Sequence, residues 1–388
     1  MDNPVDNAGI EELLKTIYEK GASDLHLKVG RPPMMRLRGD LVPFESVAAL
    51  TPQDTQRYIF SVISSEQQKR LEEEKELDFS FFVRGMARFR GNAFFQKGVL
   101  GAVFRIIPAK IPTLEELGLP EVLKELANRK QGLFLVTGPT GSGKSTTLAA
   151  LIDYVNSTMP VHVVTIEDPI EFVYQDKLSI VNQREVGSDT ASFAQALRRA
   201  LRQDPDVILI GELRDQASIV TAMTAAETDH LVFGTLHTND SKQTIDRILD
   251  TFPPDQQTQV RMQVAKCLTA VVAQRLLKRM DGKGRIAVQE IMINTPTVQK
   301  LIEENKIGAI GKCIEESATF YKMQSFNQAL LYHIKARSIG VDEALSFSNN
   351  PNDLKIQLQS LGMLESRVDV PMDVPPGLRG AGGGGHGF

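Results

Sequence analysis

Gly138-Pro139-Thr140-Gly141-Ser142-Gly143-Lys144-Ser145-Thr146 follows the apolar run Leu133-Phe134-Leu135-Val136 and leads into a helical pattern. It satisfies G-x-x-x-x-G-K-[ST] in the strand–loop–helix setting that this motif requires. The glycines let the backbone turn its N–H groups toward a phosphate chain, and the following helix adds the positive end of its dipole. Lys144 is expected to reach the β- and γ-phosphates of a nucleotide, and the Ser145 hydroxyl to ligate Mg²⁺. The candidate nucleotide-binding residues are therefore Gly138, Thr140, Gly141, Ser142, Gly143, Lys144, Ser145 and Thr146, with ATP and Mg²⁺ as the expected cofactors.

Working outward, Val161 to Ile166, Val207 to Ile210 and Leu231 to Thr235 are further apolar runs separated by helical stretches. Strands that alternate with helices predict an α/β fold with a parallel sheet covered on both faces. Beyond about residue 255 the chain is expected to be mostly helical. Two of the strands run into acids. Val163 to Ile166 leads to Glu167-Asp168-Pro169-Ile170-Glu171, and Val207 to Ile210 leads to Gly211-Glu212. Carboxylates at the C-terminal ends of parallel strands face the crevice where ligands bind in such sheets. Glycine stands where the second strand would usually offer an aspartate, so Glu212 is expected to act on the metal through water. Solvated loop acids are the plain alternative for Glu167, Asp168 and Glu171.

Residues 1–107 have a different texture. Ile10, Leu13, Leu14 and Ile17 recur with helical spacing, and Asp24 to Val29 alternates as a half-buried strand does. A short strand is expected at Met34 to Arg38, and Thr51-Pro52 opens a helix expected to run to about Ile63. Residues 77–107, rich in phenylalanine and valine, predict further strands. This is a small α+β domain. A linker punctuated by proline and glycine spans 108–120, an ATPase domain with a helical C-terminal region 121–376, and a disordered glycine-rich tail 377–388. His386 falls in that tail and is expected to be solvated.

Composition narrows the function. The chain of 388 residues carries 44 basic and 48 acidic residues, a net charge of −4, which does not suit a protein that coats nucleic acid. Its two cysteines, Cys267 and Cys313, supply neither a disulfide framework nor a four-cysteine zinc site. No apolar run approaches the ~20 residues that cross a bilayer, and the polar start MDNPVDNAGIEE does not read as a signal peptide. The expected location is cytoplasmic.

Several segments occur in a fixed order: the phosphate loop, Glu167 to Glu171, Gln183-Arg184-Glu185-Val186-Gly187, Leu201-Arg202-Gln203-Asp204-Pro205-Asp206, Gly211-Glu212-Leu213-Arg214-Asp215 and Gly234-Thr235-Leu236-His237-Thr238-Asn239. Together with Gly21 to His26 and Arg88-Phe89-Arg90-Gly91, they resemble the secretion-ATPase superfamily, and within it the type IV pilus retraction ATPases (PilT-like), over residues 8–335. The resemblance implies a PAS-like N-terminal domain joined to a RecA-like ATPase domain, assembled as a homo-hexamer that docks on an inner-membrane pilus platform protein. Such a motor hydrolyses ATP to depolymerise a pilus, the basis of twitching motility. The resemblance further implies Glu171 as the catalytic glutamate, Glu212 as the Walker B acid, and His230 and His237 as a paired His box. From the residues alone, His237 at a strand end could sense the γ-phosphate or bridge to a neighbouring element; a structural histidine is the alternative for both, and for His230 an equal one.

Arg88, Arg90 and Arg105 stand among apolar residues of the N-terminal domain. A solvated strand face is the ordinary reading. The resemblance instead sets such arginines against nucleotide phosphates. Extension ATPases of this superfamily carry a four-cysteine zinc element that is missing here, which favours retraction. Asp281-Gly282-Lys283-Gly284-Arg285, Asn294-Thr295-Pro296 and the region after Gln328 are similar to the accessory retraction paralogue PilU. A nucleic-acid translocase on the same core and a scaffold that has lost turnover are the remaining alternatives.

Overall fold

The computed structural model describes residues 9–37, 39–107 and 110–364. Arg38, the first two residues of the expected linker, the glycine-rich tail and His386 lie outside the described residues.

The N-terminal part runs α1 (Ile10–Glu19), β1 (Asp24–Lys28), β2 (Met34–Leu37), β3 (Asp40–Pro43), α2 (Pro52–Phe60), α3 (Ser65–Glu74), β4 (Glu76–Val83), β5 (Ala87–Gln96) and β6 (Val99–Ile107). Its six strands form one antiparallel sheet in the order β3-β2-β1-β6-β5-β4. The apolar face of α1 is buried as its spacing predicts. Thr51 and Asp54 form a capping box that opens α2. That helix ends earlier than expected, at Phe60, because Ser64 and Gln67 form a second capping box and start α3. Phe79, Phe89 and Phe104 fill the core. Gly91 faces Phe79 across the β4–β5 ladder, and the Phe79 ring takes the place a Cβ would need.

The larger part continues with α4 (Val122–Ala127), β7 (Gly132–Thr137), α5 (Lys144–Thr158), β8 (His162–Glu167), β9 (Ile180–Glu185), α6 (Phe193–Ala200), β10 (Val207–Ile210), α7 (Gln216–Glu227) and β11 (Leu231–Leu236). Then come α8 (Ser241–Asp250), α9 (Pro254–Cys267), β12 (Leu268–Lys278) and β13 (Arg285–Ile293). The seven strands lie in the order β13-β12-β7-β11-β10-β8-β9. All neighbours are parallel except the β12–β13 pair. Strands β7, β10 and β11 are buried throughout, as in a sheet covered on both faces.

The expectation of a mostly helical chain beyond residue 255 is corrected here, since β12 and β13 are two of the longest strands in the protein. Both are buried on two faces for most of their length, so they lack the alternation that marks a half-exposed strand. The chain closes with α10 (Pro296–Glu303), α11 (Ile310–Glu316), α12 (Ala318–Tyr321), α13 (Phe326–Lys335), α14 (Val341–Phe347) and α15 (Pro351–Ser360).

The buried apolar side chains of residues 10–104 form one cluster, and most of those of 114–323 a second. A third lies between β12–β13 and α13 to α15. Leu114 and Leu119, in the expected linker, pack in the second of these clusters. Among the described residues no helix is long and apolar enough to cross a membrane.

Candidate active site

The phosphate loop sits between the C-terminal end of β7 and the first turn of α5. Gly138 and Gly143 have φ of 145° and 86°, which side-chain-bearing residues rarely adopt. A Cβ at Gly138 would also collide with the Gln274 carbonyl and the Ser142 hydroxyl. Thr140, Gly141, Gly143, Lys144, Ser145 and Thr146 line a cleft of about 400 Å³. Gly138 and Ser142 shape the loop from behind. Nζ of Lys144 donates to the carbonyl oxygens of Gly138 and Pro139 at 2.8 and 3.2 Å. Burial draws its pKa below the usual lysine range, while Glu212 and Glu171 oppose that shift.

The opposite wall carries the strand-end acids. Glu167, Asp168, Glu171, Glu212 and His237 all line the same cleft. Glu167 and Glu171 differ in character. Glu167 is buried and accepts from Oγ1 of Thr165 at 2.6 Å and Nε2 of Gln183 at 3.2 Å. Burial pushes its carboxyl up, and these hydrogen bonds pull against that. Glu171, in contrast, is exposed and lines the cleft. Glu212 sits between Nη2 of Arg214 at 2.7 Å and Nε2 of His237 at 3.3 Å.

Gly211 explains itself here. A Cβ at that position would lie 3.3 Å from the Cα of Glu167 and the carbonyl of Ile166, so the close approach of β10 to β8 leaves little room for an aspartate. The Ser145 hydroxyl and the Glu212 carboxylate open on one cleft and offer oxygen donors only, the ligand type Mg²⁺ takes.

His230 is not brought to the cleft. It precedes β11, at the end opposite His237, and its Nδ1 lies 3.2 Å from the Ala225 carbonyl. None of the three N-terminal arginines lines the cleft of its own chain. Arg88 pairs with Glu185 at 2.9 Å. Arg105 donates from Nε to the buried Asp24 at 2.7 Å, leaving the outer end of its guanidinium exposed. Arg90 is half exposed, 3.7 Å from Asp78.

Three residues of this site escaped the sequence reading. Gln274 of β12 holds the back of the phosphate loop, and Arg285 of β13 and Arg214 bring cations to the cleft region. All but Arg214 depend on recognising β12 and β13 as strands.

A phosphate loop at the end of a buried parallel sheet, faced by strand-end glutamates, defines a P-loop ATPase. The family described as Type II/IV secretion system protein matches residues 2–330, and the chain belongs to that family. It is 50% identical over 321 residues to the type IV pilus retraction ATPase PilT of Pseudomonas aeruginosa, covering 83% of this chain and 92% of that protein. It is 43% identical to the type IV pilus ATPase PilU of Pseudomonas aeruginosa, covering 95% of each. The crystal structure of the pilus retraction motor PilT with bound ADP superposes with a TM-score of 0.85 and 48% identity, over 90% of this chain and 100% of that one.

Proposed function

We propose that this ATPase is the motor that retracts a type IV pilus, working as a homo-hexameric ring at the cytoplasmic face of the inner membrane against a pilus platform protein. The observation that carries the reading is 50% identity to a retraction ATPase across most of both chains, with Lys144, Glu171 and Glu212 lining one cleft. The lower identity to PilU, 43%, does not favour the accessory role.

In this reading the loop amides and Lys144 hold the β- and γ-phosphates of ATP. Glu171 orients the attacking water, and His237 adjoins Glu212 as a sensor of the γ-phosphate. Ser145, with Glu212 through water, would hold Mg²⁺, which neutralises charge on the phosphates when bound. A P-loop domain alone leaves the far side of the triphosphate in water. Arg90 and Arg105 of an N-terminal domain would close that side and stabilise the transferring phosphoryl group. In a ring, this links one site's occupancy to the position of the next domain. We place the end of the N-terminal domain at residue 107 and the start of the ATPase domain at residue 121, with Leu114 and Leu119 of the linker packed against the latter.

The test is turnover by the purified chain across a dilution series, with Glu171→Gln and Arg90→Ala run in parallel. Specific activity should rise with concentration below the assembly threshold. Glu171→Gln should bind nucleotide yet lose at least ~10²-fold in turnover, the lower scale for a general base or orienter. Activity that is independent of concentration in a demonstrably monomeric protein would sink the ring.

A further inference from the structure

The loop that carries Glu171 is held from behind by β9. Gln183 grips it at two points, donating from Nε2 to the Phe172 carbonyl at 2.8 Å and accepting the Tyr174 N–H at 2.9 Å. Two residues on, on the same side of the strand, Glu185 accepts the N–H of Ile170 at 3.0 Å. Glu171 thus projects into the cleft from between fixed backbone points.

Glu185 differs from Gln183 in having further donors from another domain. The same Oε2 that takes the Ile170 amide accepts Nη2 of Arg88 at 2.9 Å. Its Oε1 accepts the hydroxyls of Ser80 at 2.6 Å and, more weakly, Ser188 at 3.4 Å. Ser80 and Arg88 lie on the adjacent strands β4 and β5, and Arg88 also donates to the Ser80 hydroxyl at 2.6 Å. The backbone of Glu185 is pinned as well, its N–H donating to Oδ2 of Asp189 at 2.8 Å. At 4% exposure, the carboxylate has little water to replace a lost partner.

We propose that Glu185 is a positioning residue that transmits the seat of the N-terminal domain to Glu171. The proposal rests on the reading of Glu171 as the water-orienting glutamate. With the N-terminal sheet seated, the carboxylate is saturated and holds Ile170 in place. When the sheet lifts away, Arg88 and Ser80 leave together. A buried charge then keeps only the loop amide and the weak Ser188 contact, and it must reorient or draw in water. Either response releases the Ile170 amide and loosens Glu171. Because the phosphate loop does not touch Glu185, the expected signature is slower turnover with nucleotide affinity retained.

The experiment uses the full chain with Arg88→Ala, Ser80→Ala, Glu185→Gln, the Arg88→Ala/Glu185→Gln double variant and Arg88→Lys. Arg88→Ala and Glu185→Gln should each lower kcat roughly tenfold, in the range of coupling carried by such networks. ADP affinity should stay within about twofold, the scatter of uncoupled sites. Ser80→Ala should fall less, and Arg88→Lys should regain much of the lost turnover. The double variant should be no slower than the slower single one, since both act through one contact. Hydrogen exchange should quicken across residues 168–173 in Arg88→Ala and stay unchanged across residues 144–150.

Were Arg88 acting on a phosphate instead, its effect would multiply with that of Glu185→Gln, and the coupling would be disproved. Full turnover in a folded Arg88→Ala protein, or unaltered exchange at residues 168–173, would overturn it equally. Should Glu185→Gln fail to fold, Ser80→Ala and the exchange measurement decide. Normal turnover in Glu171→Gln would remove the assignment of Glu171, an outcome read separately from the coupling of Arg88 to Glu185.

Discussion

The side-chain amide of Gln274 donates to the carbonyl oxygen of Ser142 at 2.7 Å, tying the phosphate loop to a strand 132 residues further along the chain. Its Oε1 accepts Thr147 at 2.8 Å and Gln289 at 2.7 Å, so one buried amide braces the loop, the helix that follows it and the neighbouring strand. Gln274→Leu strands these partners, at a cost of about 1–3 kcal/mol for each group left unsatisfied. Thermal unfolding with and without ADP should show a lower Tm and a smaller stabilisation by nucleotide than in the wild type. An unchanged ADP-induced shift would show that the brace does not shape the loop.

Lys144→Ala should remove nucleotide binding and turnover together, because the phosphates lose the cation of their loop. Lys144 bonds to two loop carbonyls, and the one on Pro139 belongs to an exposed residue beside the cleft, where water can replace the lost donor. The Tm without nucleotide should therefore stay close to the wild type. Equilibrium binding of ADP checks this, and retained affinity would contradict the assignment.

Glu167 supplies a pH dependence. Its carboxyl is pushed up chiefly by burial, so the folded state keeps its proton to higher pH than the unfolded state does. Stability from this group is therefore lost as pH rises from the ordinary carboxylate range toward the raised folded value. Glu167→Gln, which cannot ionise, should gain stability relative to the wild type across that window and show no gain below it. Denaturant unfolding of both proteins from pH 4 to 8 measures the difference. A constant offset would place the effect elsewhere.

Asp24 behaves in the opposite sense. Burial pushes its carboxyl up, but donations from Ser23 and Arg105 more than offset this and hold it below the usual value. Its contribution is present above the ordinary carboxylate range and is lost as pH falls through the lowered folded value. Arg105→Ala should cost about 1 kcal/mol near neutral pH, a figure discounted for the exposure of the guanidinium. The Tm difference between variant and wild type should shrink in acid. A difference that holds steady with pH would separate Arg105 from Asp24.

The parts of this molecule with a local signature were legible in its residues. The strands that feed the phosphate loop, Glu171 and Glu212 are short apolar runs ending in glycine or acid, and β10 spans Val207–Ile210 as expected. The α2 start was visible in Thr51-Pro52, and its early end was hidden by a second capping box. What stayed hidden depends on distant partners. Gln274 and Arg285 gain their roles only because β12 and β13 join the sheet beside β7. Likewise, nothing in the local sequence of Arg88 marks it as the partner of Glu185, 97 residues away.

β12 pairs in parallel with β7 although the chain makes most of the ATPase sheet between them. During synthesis, the phosphate loop therefore leaves the ribosome long before the strand that braces it. A nascent chain ending ahead of Leu268 holds the whole motif and both strand-end glutamates, yet it lacks Gln274 and the Leu276 and Arg285 wall of the cleft. The full lining of the cleft therefore exists only once Arg285 has emerged. Closing so distant a pairing is slow compared with local helix formation. The cleft is thus among the last parts of this sheet to be finished, well after the motif that gives it its chemistry.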